Sequence, residues 1–240
     1  MDTLYGEAYR RLYERHWWWR ARERVVLREL DEIRPAQGWR HALDVGCGDG
    51  LLFPRLQAYA DTVEGIEPDH RLVSEPVRPD GTIHVRRFDA TFTSDRRYDL
   101  VLFLDVLEHL PDAESAVAHA ATLMASGGVV LVTVPAWRHL WTSHDVLNHH
   151  VRRYTRDDLV ALLSPTFTVD KARHFFRWVH PAKVVQRLME AVRPRLPAPP
   201  VIPPAPLNGT MYAMSRLEEM ALRWSRLPVG SSLLAVARKP

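Results

Sequence analysis

Leu43 to Gly50 reads LDVGCGDG, an apolar run that breaks into three glycines at alternate positions. Gly46, Gly48 and Gly50 open backbone conformations closed to other residues and let the chain approach a ligand with no Cβ in the way. The stretch behind them, LLFPRLQAYA, is read as a helix whose free N–H groups face that ligand. A strand feeding a glycine turn and a helix is one corner of a βαβ unit. The same rhythm runs on through DTVEGIE, TIHVRRF, YDLVLFLDV, DAESAVAHAATLMA and GGVVLVTVP. It predicts a parallel sheet between two helical layers. YDLVLFL and GGVVLVTV are almost continuously apolar, as strands covered on both faces must be.

Further on, Thr155 with acids behind it opens a helix over TRDDLVALL, TFTVDKARHF reads as a sixth strand, and SSLLAVARK as a seventh. Two amphipathic helices interrupt that last pair. One gathers Val185, Leu188, Met189 and Val192 on a face, the other Met214, Leu217, Ala221 and Trp224. The proline-rich RPRLPAPPVIPPAP that joins them can be neither helix nor central strand. The expected organisation is an N-terminal segment over residues 1–34, a core over 35–175, a helical insertion over 176–228, and a final core strand over 229–240.

The 240 residues suffice for one such core, and 32 basic residues against 29 acidic ones, dispersed along the chain, argue against a nucleic-acid partner. A single cysteine rules out a disulfide framework or a multi-cysteine zinc site. With no signal-peptide core and no uncharged run of about twenty residues, a cytoplasmic protein is expected, surface association with membranes remaining open.

Twenty-one residues after Gly46, at the end of the next strand, stands Glu67, placed to accept hydrogen bonds from ribose hydroxyls. Nicotinamide and S-adenosylmethionine sites share such an acid. The chain resembles the class I S-adenosylmethionine-dependent methyltransferases, whose glycine motif (D/E)xGxGxG is met at every position by Asp44-Val45-Gly46-Cys47-Gly48-Asp49-Gly50. The resemblance extends through GIEPD, FDA, FLDVLEHLPD and ASGGVVLVTVP in the family's order, over roughly the first 135 residues. It implies a Rossmann-like sheet of seven strands, mostly parallel with the last antiparallel. It also implies that Asp44, Gly46, Cys47 and Gly48 hold the methionine part of the cofactor and that Glu67, followed by Pro68, holds the ribose. By the same resemblance Asp89 and Ala90 take the adenine, and Leu104, Asp105 and Val106 line the opposite side.

HWWWRARERVVLREL, His16 to Leu30, places three tryptophans in a row. Adjacent helical side chains diverge by about 100°, so the rings of Trp17, Trp18 and Trp19 cannot share one core. A subgroup of the family carries a similar N-terminal helix as a lid. That similarity implies that Trp18 or Trp19 shields the cofactor and that Arg20 or Arg24 pairs with its carboxylate as a fork.

After the fifth strand the chain reads SHDVLNHHVRRYT, Ser143 to Thr155, at the sheet edge where open α/β folds bind ligands. Methyl transfer to a hydroxyl needs the acceptor held in line and its proton removed, and histidine suits that proton. The same subgroup resembles this stretch too. The expectation is a general base at His144 or His150 oriented by Asp145, with Arg152, Arg153, Tyr154 and His109 positioning a polar or anionic acceptor. His144 and His150 are six apart and no cysteine assists, so no metal is expected.

The expected activity is O-methylation of a hydroxyl or carboxylate on a hydrophobic small molecule, the insertion serving as its cap. Alternatives are a quinone-type lipid met at a membrane surface and a cofactor-binding protein that transfers no methyl. Nucleic-acid methylation lacks its NPPY-like signature at Asp105-Val106-Leu107-Glu108, and a nicotinamide enzyme would space its glycines GxGxxG.

Overall fold

The computed structural model describes residues 3–193, 196–225 and 227–240. Met1 and Asp2 of the N-terminal segment, and Pro194 and Arg195 of the proline connector, lie outside them. The strands are β1 Trp39–Val45, β2 Ala60–Ile66, β3 Val77–Arg78, β4 Gly81–His84, β5 Tyr98–Leu104, β6 Met124–Pro135, β7 Thr168–Phe175 and β8 Ser232–Arg238. The helices are α1 Thr3–Arg15, α2 Trp17–Ile33, α3 Phe53–Leu56, α4 Ala113–Leu123, α5 Ser143–Leu147, α6 Arg156–Leu163, α7 Val179–Val192 and α8 Ala205–Leu222.

The eight strands of the described residues form one sheet in the order β3-β4-β2-β1-β5-β6-β8-β7. From β4 to β6 neighbours run parallel, while β8 runs antiparallel to both β6 and β7. The expected seven strands are thus present and an eighth is added. Pro79-Asp80-Gly81 turns the chain back on itself, with Gly81 at φ 155, so that β3 pairs antiparallel with β4 at the sheet edge. The helix expected behind the glycine loop also differs, since α3 is a single turn with Pro54 in its first positions.

Strand residues alternate between the two faces of the sheet. Leu43, Val101, Phe103, Val130 and Val132 pack with α4 and α6 on one face, and Ala42, Leu100, Leu102 and Leu131 with α2 on the other. Val26 and Leu30 of α2 are fully buried, so this helix forms part of the core. Its tryptophans fan out around the helix, Trp17 in the core under α2 and Trp19 in a separate cluster with Leu12, with Trp18 bridging the two. Trp17 packs on Phe176 and Trp178, Trp18 leans on Phe176, and Trp19 meets His16 edge-on beside Leu12.

Helix α8 is inside out. It buries Ser215, Glu218 and Glu219 and exposes Met214, Leu217 and Met220. Arg173 of β7 explains the inversion, because its guanidinium takes both oxygens of Glu219 at 3.2 and 2.7 Å while Glu218 accepts the Trp178 N–H at 2.9 Å. Helix α7 likewise exposes Val185, Leu188, Met189 and Val192. The apolar faces expected to close over a ligand therefore point to solvent.

Candidate active site

The carboxyl ends of β1, β2, β5 and β6 meet at one edge of the sheet. There Gly46, Gly48 and Gly50 all have left-handed φ, of 71°, 56° and 62°. A Cβ on Gly46 would stand 2.6 Å from a methyl of Val106, so glycine is required by space as well as by conformation. Glu67, at the end of β2, is buried, and its two oxygens accept the N–H groups of Gly48 at 3.0 Å and Asp69 at 2.9 Å. Burial pushes its pKa up. Asp44, beneath the loop, is raised to about 7 by burial, with Arg22 opposing and Glu67 adding to the rise.

The N-terminal helices lie over this loop. The ring of Tyr9 comes within 3.5 Å of where a Cβ on Gly48 would stand, and Arg10 pairs with Asp49, whose other oxygen accepts the N–H and hydroxyl of Ser74. From α2 the buried Arg22 forms an ion pair with Asp105. Asp105 sits just past β5 with φ 57, its N–H donating to Thr133 O at 2.9 Å and its carboxylate accepting the Thr133 hydroxyl at 3.3 Å.

Two arginines expected at the cofactor are placed differently. Arg20 is exposed and stacks over Tyr212 at 4.2 Å, and with Arg24 it lines a groove on the outer side of α2, away from Asp105. Asp89 is exposed and accepts the N–H and hydroxyl of Thr91, and Pro68 and Ala90 are exposed as well. Leu104 and Cys47 are buried, the latter against Gly65. Arg22 and Tyr9 were not anticipated. The signal for Arg22 was helical phase, because it lies three and four residues from Val25 and Val26 on the buried side of α2.

The histidine segment folds into a knot around Asp145. Asp145 is fully buried at N3 of α5 and takes the Thr142 N–H at 2.8 Å in a capping box. Its carboxylate receives Arg153 as a fork, at 2.8 and 2.9 Å, and His150 Nδ1 at 2.8 Å. Burial alone would raise this carboxyl, yet the His150 and Arg153 hydrogen bonds hold it well below the usual range. His144 is half-buried with its ring 6.3 Å from that of His150, outside the hydrogen-bonded dyad, its pKa lowered to about 3 by burial and by Lys183.

The residues expected to hold the acceptor are occupied by the protein itself. Arg152 donates to Pro111 O at 2.7 Å, Arg153 also donates to Ala136 O at 3.0 Å, and the Tyr154 hydroxyl donates to Leu107 O at 3.0 Å. His109 is exposed, with its ring 4.7 Å from that of His150. Glu108 is buried, one carboxylate oxygen has no hydrogen-bond partner, and burial with Asp105 nearby raises its pKa. Glu108, His109 and His150 bring ligand atoms within 4.8 Å of one another, a set able to hold a divalent ion.

Residues 18–165 match the family described as a methyltransferase domain. The chain belongs to that family. It is a class I S-adenosylmethionine-dependent methyltransferase. It is 28% identical over 181 residues to the ubiquinone biosynthesis O-methyltransferase of Thiobacillus denitrificans, a match spanning 69% of this chain and 68% of that one. Its fold is similar to the N-methyltransferase NodS of Bradyrhizobium japonicum bound to S-adenosylhomocysteine, with TM-score 0.58, 14% identity and all of both chains covered. The [4+2]-cyclase SpnF shares the fold as well, with TM-score 0.59 and 17% identity over 91% of this chain and 80% of that one.

The residues present fit S-adenosylmethionine. Gly46 and Gly48 carry no side chain of their own where the cofactor's chain would lie, Glu67 beside them would accept from ribose hydroxyls, and Arg22 is the lid cation that would pair with its carboxylate. The bound cofactor supplies an electrophilic methyl on sulfonium. The protein's share is to hold an acceptor in line with that methyl, exclude water, and take the acceptor's proton.

Proposed function

We propose that the methyltransferase acts on a hydroxyl of a hydrophobic small molecule, with His150 as the general base and Asp145 fixing its ring. The observation that carries this reading is the 2.8 Å contact between His150 Nδ1 and an Asp145 locked by Arg153. Such a carboxylate holds the imidazole in the tautomer whose Nε2 is free to accept a proton. The name of the Thiobacillus relative, an O-methyltransferase, supports oxygen as the methyl acceptor. The test is S-adenosylhomocysteine release with a panel of phenols, comparing wild type with His150→Gln. Turnover of a phenol that the variant loses is expected. Wild-type rates in the variant would sink the base assignment.

The inversion of α8 favours a second element, that the acceptor is met at a membrane surface. Met214, Leu217 and Met220 of α8, with Trp224 just after it, are exposed, as are Leu188 and Val192 of α7. The exposed charges among the described residues of the two helices and their connector, Arg187, Arg193 and Arg216, are all basic. Exposed apolar helix faces that also carry arginine suit an anionic lipid surface. No described helix is long and apolar enough to cross a membrane, and the contact we propose is a peripheral one on the cytoplasmic side. Sedimentation with phosphatidylglycerol vesicles but not phosphatidylcholine vesicles, weakened by Leu217→Ser, is expected. Absence of binding to either would overturn this element.

A further inference from the structure

At the carboxyl ends of β6 and β7 four buried nitrogens have no hydrogen-bond partner. They are Nε1 of Trp137, Nε2 of His174, and Nε and Nη1 of Arg177. Trp137 leaves β6 in a left-handed conformation, φ 63, and its indole stacks flat on His174 with ring centres 5.2 Å apart and planes 11° from parallel. His174 is 3% exposed and Arg177 6%, so neither can turn to water for its missing bonds. Phe176 between them also has a left-handed φ, of 56°.

The surroundings do not satisfy these groups. Arg177 spends Nη2 on Ser225 O at 2.9 Å. Glu218 comes no closer to Nη1 than 3.8 Å, because its other oxygen is engaged by the Trp178 N–H. Nearby His180 gives Nδ1 to Gly230 O at 3.2 Å, and His139 packs between Trp137 and His180. Burial and Arg177 together lower His174 to about 4, so its ring is neutral at physiological pH.

Indole and guanidinium N–H groups only donate. Whatever completes this corner must bring acceptor oxygens, and a carboxylate brings the most in the least space, with a charge the guanidinium favours. The corner adjoins the base. Arg153, which holds Asp145, also donates to Ala136 O, one residue before Trp137, and the Trp137 N–H donates to Tyr154 O at 2.9 Å. We propose that Trp137, His174 and Arg177 bind a carboxylate of the acceptor, making the substrate class an apolar hydroxy acid with its hydroxyl at His150 and its carboxylate at this corner. The substrate class rests on the O-methylation reading; the carboxylate site does not. Trp137 is only half-buried, so displacement of its ring admits a ligand without unfolding the strand behind it.

The test titrates ¹⁵N-labelled protein, saturated with S-adenosylhomocysteine, with benzoate while the Trp137 indole N–H resonance, assigned through Trp137→Phe, is followed. A saturable shift with benzoate and none with benzamide is expected, and Arg177→Gln, its fold checked by S-adenosylhomocysteine affinity, should weaken benzoate by about tenfold or more, the scale of a lost charge-assisted pair. No saturable shift, as when only water fills the corner, overturns the proposal. So does an Arg177→Gln protein that binds benzoate as tightly as wild type. A second arm compares 4-hydroxybenzoate with phenol as methyl acceptors, where Arg177→Gln should raise KM for the acid alone. Benzoate binding without methylation of either phenol would retain the site and defeat the O-methylation reading.

Discussion

Arg22 of α2 is ion-paired with Asp105 just beyond β5, so the N-terminal helix is tied by charge to the residue that flanks the glycine loop. Tyr9 of α1 lies over Gly48 on the same side. Arg22→Ala should weaken S-adenosylhomocysteine binding about 10- to 100-fold, the worth of a hydrogen bond to a charged group. Arg20→Ala and Arg24→Ala should leave it unchanged, since both side chains face the outer groove. Calorimetry on the three variants checks this, and a loss confined to Arg20 or Arg24 would contradict it.

Among the histidines the dyad decides. His150→Gln and Asp145→Asn should each lower kcat by roughly 10²- to 10⁴-fold, the usual contribution of a positioned base. His144→Gln should stay within an order of magnitude of wild type, because the His144 ring is paired with Asn148 and it is His150 that is hydrogen-bonded to Asp145. Steady-state rates with saturating cofactor provide the comparison, and equal losses at His144 and His150 would remove the distinction.

Asp145 is also a stability group. Replacing it by Asn leaves Arg153 buried without its counter-ion and should cost about 3–5 kcal/mol at neutral pH. Its folded pKa is depressed, so the stabilisation is present above the unfolded value near ~3.9 and is lost as pH falls through the folded one. Denaturant curves should therefore show the gap between wild type and variant narrowing only below about pH 4.

Four histidines, His16, His109, His144 and His174, have pKa values lowered to about 4, 4, 3 and 4, with burial the largest cause of each. The unfolded chain binds protons there near ~6.5 and the folded chain does not, so stability should fall on acidification from pH 6.5 toward 4. Asp44, raised to about 7, opposes one of the four in that range, and the raised carboxyls of Glu67 and Glu108 act in the same sense as Asp44. Net proton uptake on unfolding near pH 5 is expected, read from the slope of stability against pH.

The sheet was legible because its signals are local. Alternating apolar strands and a glycine turn define βαβ units whichever way the surface is decorated, and Glu67 and the three glycines follow from that geometry, while Asp44 followed from the family resemblance. The edge strand β3 was not, since two residues carry no period and only the Pro79-Asp80-Gly81 turn reveals it. Helix α8 misled for a physical reason. Amphipathic spacing shows that a helix has an apolar face but not where the face points, and the deciding partner, Arg173, lies 46 residues from Glu219. The knot at Asp145 was half visible. HD…HxRRYT names its members, yet the choice of His150 over His144 depends on the turn at His149, with φ 55, which swings His150 back over α5. The Trp137, His174 and Arg177 corner joins two strand ends through β8 and leaves no local trace.

The central claim is that Glu67 and the glycine loop form an S-adenosylmethionine site, and calorimetric titration with S-adenosylhomocysteine of wild type and Glu67→Ala tests it most directly. Saturable binding to wild type is predicted, weakened at least about tenfold in the variant by loss of the buried acceptor beside Gly48. No binding to the folded wild-type protein, or equal affinity in the two, would contradict it.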